Sequence, residues 1–297
     1  MKTKLEGESM NGLDKLYGIL DGFGLFFPGK KDMNHILEKS TVHGLGYEDN
    51  QVNAGGALVP KGQTPVNPME QGLQGCSIKM ELIKQSNTKA IIQHAVDNLS
   101  GNSQADDVDI DMGWLLQFME MSGKISDKML QMIWGRILAS KVKRSSGISL
   151  RSLFTVARLS PNEAQLFTKI SKYIVNLRGN NLLLNDSTFN ERYGIRYYDI
   201  LRLDEYGLIN SSGMILIDVP LSNAATSFLQ YGNHMLQIFC VEKTKLNLQI
   251  FSLREAGDDL LTIMDRDIDE AYLDDFKETI AKKQKGIGFF DMNITHE

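Results

Sequence analysis

The tetrapeptide Ser160-Pro161-Asn162-Glu163 suits the start of a helix and little else. A serine just before the first turn accepts from an amide left unpaired inside the helix, and a glutamate three residues on reaches back to the serine amide. Proline fits the first helical position, where its missing N–H would be unpaired anyway. Phe167, Ile170, Ile174 and Leu177 then recur at helical spacing, and Gly179 offers a stop. The pattern predicts a helix over residues 161–177. Upstream, Ser126 and Asp127 open a second helix with the apolar stripe Leu130, Ile133, Trp134, Ile137 and Leu138. It closes on Lys141, Lys143 and Arg144, cations that complement the negative helix end. A short helix over residues 150–157 joins the two. Trp134 is expected to be buried against the Phe167 helix. All of these are packing and capping signals, and none positions a reaction.

The rest of the chain reads from this centre. Residues 1–43 are helical in places, with Leu13, Leu16, Tyr17 and Leu20 on one stripe, read as docked on the protein's own core. Residues 22–28 are apolar and aromatic and precede Lys30-Lys31, a composition compatible with a membrane surface. Residues 44–76 hold repeated glycines and Pro60, Pro65 and Pro68, with little apolar surface to repay ordering; they read as a linker or mobile loop. Helices follow over residues 78–99 and 109–121. Residues 188–193 and 196–206, separated by Gly194, read as helix–turn–helix. Residues 214–217 read as a strand. Leu236, Ile238 and Cys240 alternate with outward residues, and so do Leu246, Leu248 and Ile250; with the turn at 242–245 they predict a hairpin. Helices over 253–264 and 267–285 and a loose end complete the chain. The expected fold is mainly α: a helical N-terminal and middle region with a C-terminal winged-helix-like α+β domain. Its divisions are an N-terminal helical segment at 1–43, the linker at 44–76, a helical domain at 77–158, the winged-helix-like domain at 159–265, and a C-terminal helix and tail at 266–297.

Chemistry is sparse. The two cysteines, Cys76 and Cys240, lack a Cys-x-x-Cys partner, and Cys240 reads as a buried thiol. The five histidines lack ligand spacing. No P-loop, dinucleotide fingerprint, nucleophile elbow or zinc-protease motif occurs. Asp107-Val-Asp109-Ile-Asp111 starts like a calcium loop, but its glycine comes one position late and Phe118 stands where a bidentate glutamate is needed. It reads as a solvated helix start, and so does the cluster at Asp265, Asp267, Asp269 and Glu270. No catalytic residue, metal ligand or cofactor is therefore assigned. A formal net charge of -5 gives no whole-protein field for nucleic acid. Between Lys128 and Arg202, however, basic residues outnumber acids. If the winged helix reads DNA, Arg192, Arg196, Tyr197 and Arg202 are its contacts, with Lys243 and Lys245 on the wing. Asp199, Asp204 and Glu205 on the same helix oppose phosphate. No signal peptide or membrane-spanning run is evident, so a cytoplasmic location is expected.

Trp-x-x-Ile-Leu-Ala at 134–139, Ser-Leu-x-x-Leu at 149–153 and Leu-Ser-x-x-Glu-Ala at 159–164 together carry a resemblance. So do Leu-x-x-Tyr-Gly-Leu-Ile at 203–209 and Leu-x-x-Ala-Gly-x-x-Leu at 253–260. The chain resembles a bacterial family of unknown function related to the abortive-infection alpha (Abi-alpha) proteins, over its second half and part of its middle. The resemblance implies a non-enzymatic phage-defence protein acting through protein or nucleic-acid contacts, and it brings no catalytic residues. Another protein or a second copy is the expected partner, with no small-molecule substrate. The alternatives are a winged-helix DNA-binding regulator and a peripheral membrane effector using residues 22–31.

Overall fold

The computed structural model describes residues 10–22, 50–52, 58–60, 68–100, 104–220, 227–240, 245–284 and 286–292. The chain forms two compact units, Met1–Gly147 and Ile148–Glu297.

The first unit is helical. α1 (Gly12–Gly22), α2 (Pro68–Leu99), α3 (Met112–Ser122) and α4 (Lys128–Lys143) carry it. Two short antiparallel pairs accompany them: β1 (Met10–Asn11) with β4 (Gln104–Ala105), and β2 (Asn50–Val52) with β3 (Leu58–Pro60). Residues expected as a linker thus include β2, β3 and the first turns of α2, which begins at Pro68. The apolar run at 22–28 and Lys30-Lys31 lies almost wholly outside the described residues, as does the reading built on it. Leu16 and Leu20 of α1 are buried, as the helical stripe predicts. Trp134 is fully buried, and its ring lies 5.3 Å from Phe118, which stacks on Trp114. α2 and α4 meet closely at Gly135: a Cβ there would come within 2.3 Å of His94 Cβ. Local signals set the helix starts. Asp111 accepts from the Trp114 amide at 2.7 Å and Asp127 from the Leu130 amide at 3.0 Å, so each satisfies an orphan donor.

The second unit is built on a seven-stranded antiparallel sheet. Its strands are β5 (Val175–Leu177), β6 (Asn180–Leu184), β7 (Ile209–Pro220), β8 (Ser227–Tyr231), β9 (His234–Cys240), β10 (Lys245–Leu253) and β11 (Ile287–Met292). The order across the sheet is β11-β9-β8-β5-β6-β10-β7. One face buries Leu177, Leu182, Leu229, Leu236, Ile238 and Ile250 against Phe189 of α7 (Ser187–Arg192) and Tyr272, Phe276 and Ile280 of α10 (Glu270–Lys283). α5 (Leu150–Val156), α6 (Pro161–Ser171), α8 (Tyr197–Glu205) and α9 (Glu255–Leu261) complete the unit.

This sheet overturns the expectation of a mainly α chain ending in a small winged-helix domain. The predicted wing does not exist. β9 pairs with β8 and β11, while β10 pairs with β6 and β7, so the two alternating stretches are never neighbours. Alternation identifies a strand and its buried face, but not which strand lies beside it. The expected helix over 161–177 ends at Ser171, and its last apolar positions lead into β5. Arg178 and Gly179, both with positive φ, form the two-residue turn of the β5–β6 hairpin rather than a helix stop. The end expected to be loose supplies β11.

Candidate functional site

The helix–turn–helix expected at 188–206 is present as α7 and α8, joined through Gly194 at φ 66°. Asp186 caps α7 by accepting from the Phe189 amide at 2.9 Å, and it pairs with Lys283 at 2.6 Å. Asn190 donates to the Leu184 carbonyl at 2.8 Å and so ties α7 to the end of β6. α8 begins at Arg196, whose amide donates to Asp199 at 3.0 Å.

Each described arginine proposed from sequence as a phosphate contact is paired with an acid. Arg192 meets Asp275 at 2.8 Å and lies 5.1 Å over the Phe189 ring. Arg196 grips both carboxylate oxygens of Asp199, at 3.2 and 3.0 Å. Arg202 donates to Glu163, which also accepts from the Ser160 amide at 2.8 Å and from the Ser160 hydroxyl. The α6 cap is therefore anchored to α8. Burial pushes the Glu163 pKa up, but the bonds from Ser160 and Arg202 outweigh it and hold the carboxyl below its ordinary range. Asp199 follows the same pattern, with burial opposed and outweighed by Arg196. In the last turn of α8, Asp204 pairs with Arg254, the residue that precedes α9, at 2.6 Å. Lys243 lies outside the described residues and so does the side chain of Lys245; with β9 and β10 apart, the strands flanking them form no wing.

What α8 offers outward is mainly aromatic and apolar, with the exposed acid Glu205 at its end. Ile200 and Leu203 are buried, whereas Tyr197, Tyr198 and Leu201 are 56%, 69% and 42% exposed. Tyr197 also leans on Phe251, with ring centroids 6.3 Å apart. Of these three, only Tyr197 was singled out from sequence. The signal for Tyr198 and Leu201 was available: they fall off the stripe that Ile200 and Leu203 define. Asp111 and Asp269, each in an acidic cluster read as a helix start, do cap helices. Among the described residues no group of His, Cys, Asp and Glu is arranged to hold a metal, and no helix is long and apolar enough to cross a membrane.

Fold and site together define an α+β protein of two units, the second bearing an aromatic helix face among neutralised charges. The chain belongs to the family described as protein of unknown function (DUF2806), whose model it matches over residues 76–277. That match does not bear on the abortive-infection proteins. Neither the curated proteins nor the solved structures contain a match.

Proposed function

We propose that this is a non-enzymatic, cytoplasmic contact protein that engages another protein through the exposed face of α8, in an abortive-infection type of phage defence. The observation that carries the contact reading is the division of labour on α8. Arg196 and Arg202 are committed to carboxylates, while Tyr197, Tyr198 and Leu201 face solvent. Tyrosine is enriched at protein–protein hot spots, and charge is depleted at the centres of such interfaces. A phosphate reader needs cations free to release counterions from the duplex. Here binding to phosphate means giving up Asp275 and the buried carboxylates Asp199 and Glu163. The defence role rests on the family resemblance alone.

The test compares phage plating on cells carrying the wild type, the pair Tyr198→Ser with Leu201→Ser, or Arg196→Ala. Protection is expected with the wild type and with Arg196→Ala, and is expected to be lost with the aromatic pair. Purified protein is expected not to shift duplex DNA at low salt. No protection by the wild type overturns the defence reading. Salt-sensitive duplex binding weakened by Arg196→Ala replaces the protein-contact reading with a nucleic-acid one.

A further inference from the structure

The sheet of the second unit has a notch. β10 pairs with β7 from Lys245 to Leu253, but β6 covers its other side only from Ile250 to Ser252. The Asn185 amide adds one further bond, to the Gln249 carbonyl at 2.9 Å, and among the described residues no strand continues on that side beyond it. Two residues along, Asn247 turns its backbone N–H and C=O to the same side, because this orientation repeats every second residue. Those two groups are met by a side chain. The Gln284 carboxamide accepts from the Asn247 amide at 3.4 Å and donates to the Asn247 carbonyl. In an antiparallel sheet a directly opposed residue exchanges this same pair of bonds. Gln284, at the C-terminal end of α10, thus imitates one residue of an absent strand.

The notch opens into a cavity of about 310 Å³, whose wall includes the buried Leu184 and Ile280 and the exposed Asn247 and Gln249. Its lining cation, Lys283, is bound to Asp186 at 2.6 Å, so the cavity is not arranged to recruit a free anion. We infer that this notch is a peptide-binding site: a short, uncharged extended segment of a partner protein adds beside β10, displacing Gln284 and seating an apolar side chain toward Leu184 and Ile280. The chemistry is main-chain recognition, as in strand addition to a sheet edge. Gln284 is the internal competitor that keeps the groups of Asn247 satisfied while the site is empty of peptide. The inference is independent of the α8 surface, since it uses different residues and a different kind of contact.

The probe is the blocked pentapeptide acetyl-Thr-Val-Thr-Val-Thr-amide, followed by amide NMR of the full chain. Removing the competitor with Gln284→Ala is expected to tighten binding roughly tenfold, the effect of one to two net hydrogen bonds no longer opposed. Saturable shifts are expected at the Asn247 and Gln249 amides. The same peptide N-methylated at its central threonine loses a donor and is expected not to bind. If Gln284→Ala disturbs the end of α10, Gln284→Glu keeps the size, sets an acceptor against the Asn247 carbonyl and gives the same release. Absence of shifts in both variants, shifts mapped elsewhere, or equal binding of the N-methylated peptide would show Gln284 to be a strand cap only.

Discussion

Gly257→Ala puts the packing of the second unit to a sharp test, because two effects of known sign oppose each other there. Gly257 lies in α9, and alanine is the better helix former by up to about 1 kcal/mol. Propensity alone predicts stabilisation. The new Cβ, however, would stand 2.1 Å from the carbonyl oxygen of Leu208. That oxygen cannot simply retreat. It accepts from the Arg254 amide at 3.0 Å, while the Leu208 amide donates to Leu203 at 2.9 Å. α9 must therefore withdraw by roughly 1 Å or more before the contact becomes an ordinary one. Overpacking of this kind costs about 1–3 kcal/mol, and loosening the Arg254 bond costs about 0.5–1.5 kcal/mol more. After the propensity gain, a net loss of about 1–3 kcal/mol is expected. At about 2–4 °C per kcal/mol for a unit of this size, Tm falls by several degrees. Hydrogen exchange across residues 148–297 reads the effect where it arises. The fluorescence of Trp114 and Trp134, both in the first unit, is the internal reference. Gly18→Ala in α1, where no described atom beyond the helix's own backbone lies within 4 Å of the added carbon, is the control expected to stabilise. An unchanged or raised stability of Gly257→Ala refutes the packing argument.

Acid tests the first unit. The hydrogen bond from Lys15, with further bonds from Ser145, outweighs burial and holds Asp106 at about 2. Asp106 thus binds fewer protons folded than unfolded; its contribution is complete above about pH 4 and is lost as pH falls toward 2. Asp106→Asn is expected to flatten that part of the acid-unfolding profile followed by tryptophan fluorescence, and an unaltered profile refutes the assignment. Alkali tests the second unit. Burial pushes Tyr231 up to about 12 and raises Tyr272 well above its ordinary range. Their neutral forms are favoured in the fold, so stability is complete below about pH 10 and declines as pH rises toward 12. The Tyr272 hydroxyl is buried and has no hydrogen-bond partner among the described residues. Tyr272→Phe removes that unsatisfied group, and a gain of about 1 kcal/mol or more is expected in denaturant unfolding; a loss of similar size refutes it.

How much of this was legible depends on the range of the physics involved. Caps are local. Ser160 with Glu163 and Asp127 with the Leu130 amide each act within three residues, and sequence reading located both helix starts. The switch from α6 to β5 was not legible, because its apolar residues satisfy both periods. Ile170, Ile174 and Leu177 fit a helix, while Val175 and Leu177 equally fit a strand buried on one face. The Arg178–Gly179 turn decides between them, and a glycine at 179 suits either ending. Strand identity was legible for β9 and β10 and strand partnership was not. The partner of Leu236 is Leu229 on one side and Asp291 on the other, and that of Ile250 is Leu184 or Ile215. No turn signal at 242–245 encodes those choices.

The same limit of range explains why the charge surplus was misleading as a guide to the site. A sum over residues 128–202 treats every arginine as available. Arg196 and Asp199 stand three apart at the start of one helix, close enough for the pair to be foreseen. Arg202 takes its carboxylate from Glu163 on α6, and Arg192 takes its own from Asp275 on α10. These partners are separated in sequence by whole elements, and only the fold brings them together. Glu163 is the instructive case. Its position three residues after Ser160 marks it as a capping residue, and one carboxylate oxygen serves that role. The other oxygen is left to receive Arg202, so a residue read as local also sets the charge state of the α8 surface. Once these pairs are made, what α8 retains for a partner is mainly hydrocarbon and phenol, with Glu205 exposed at its end. The contact chemistry proposed for it follows from that remainder rather than from the basic count.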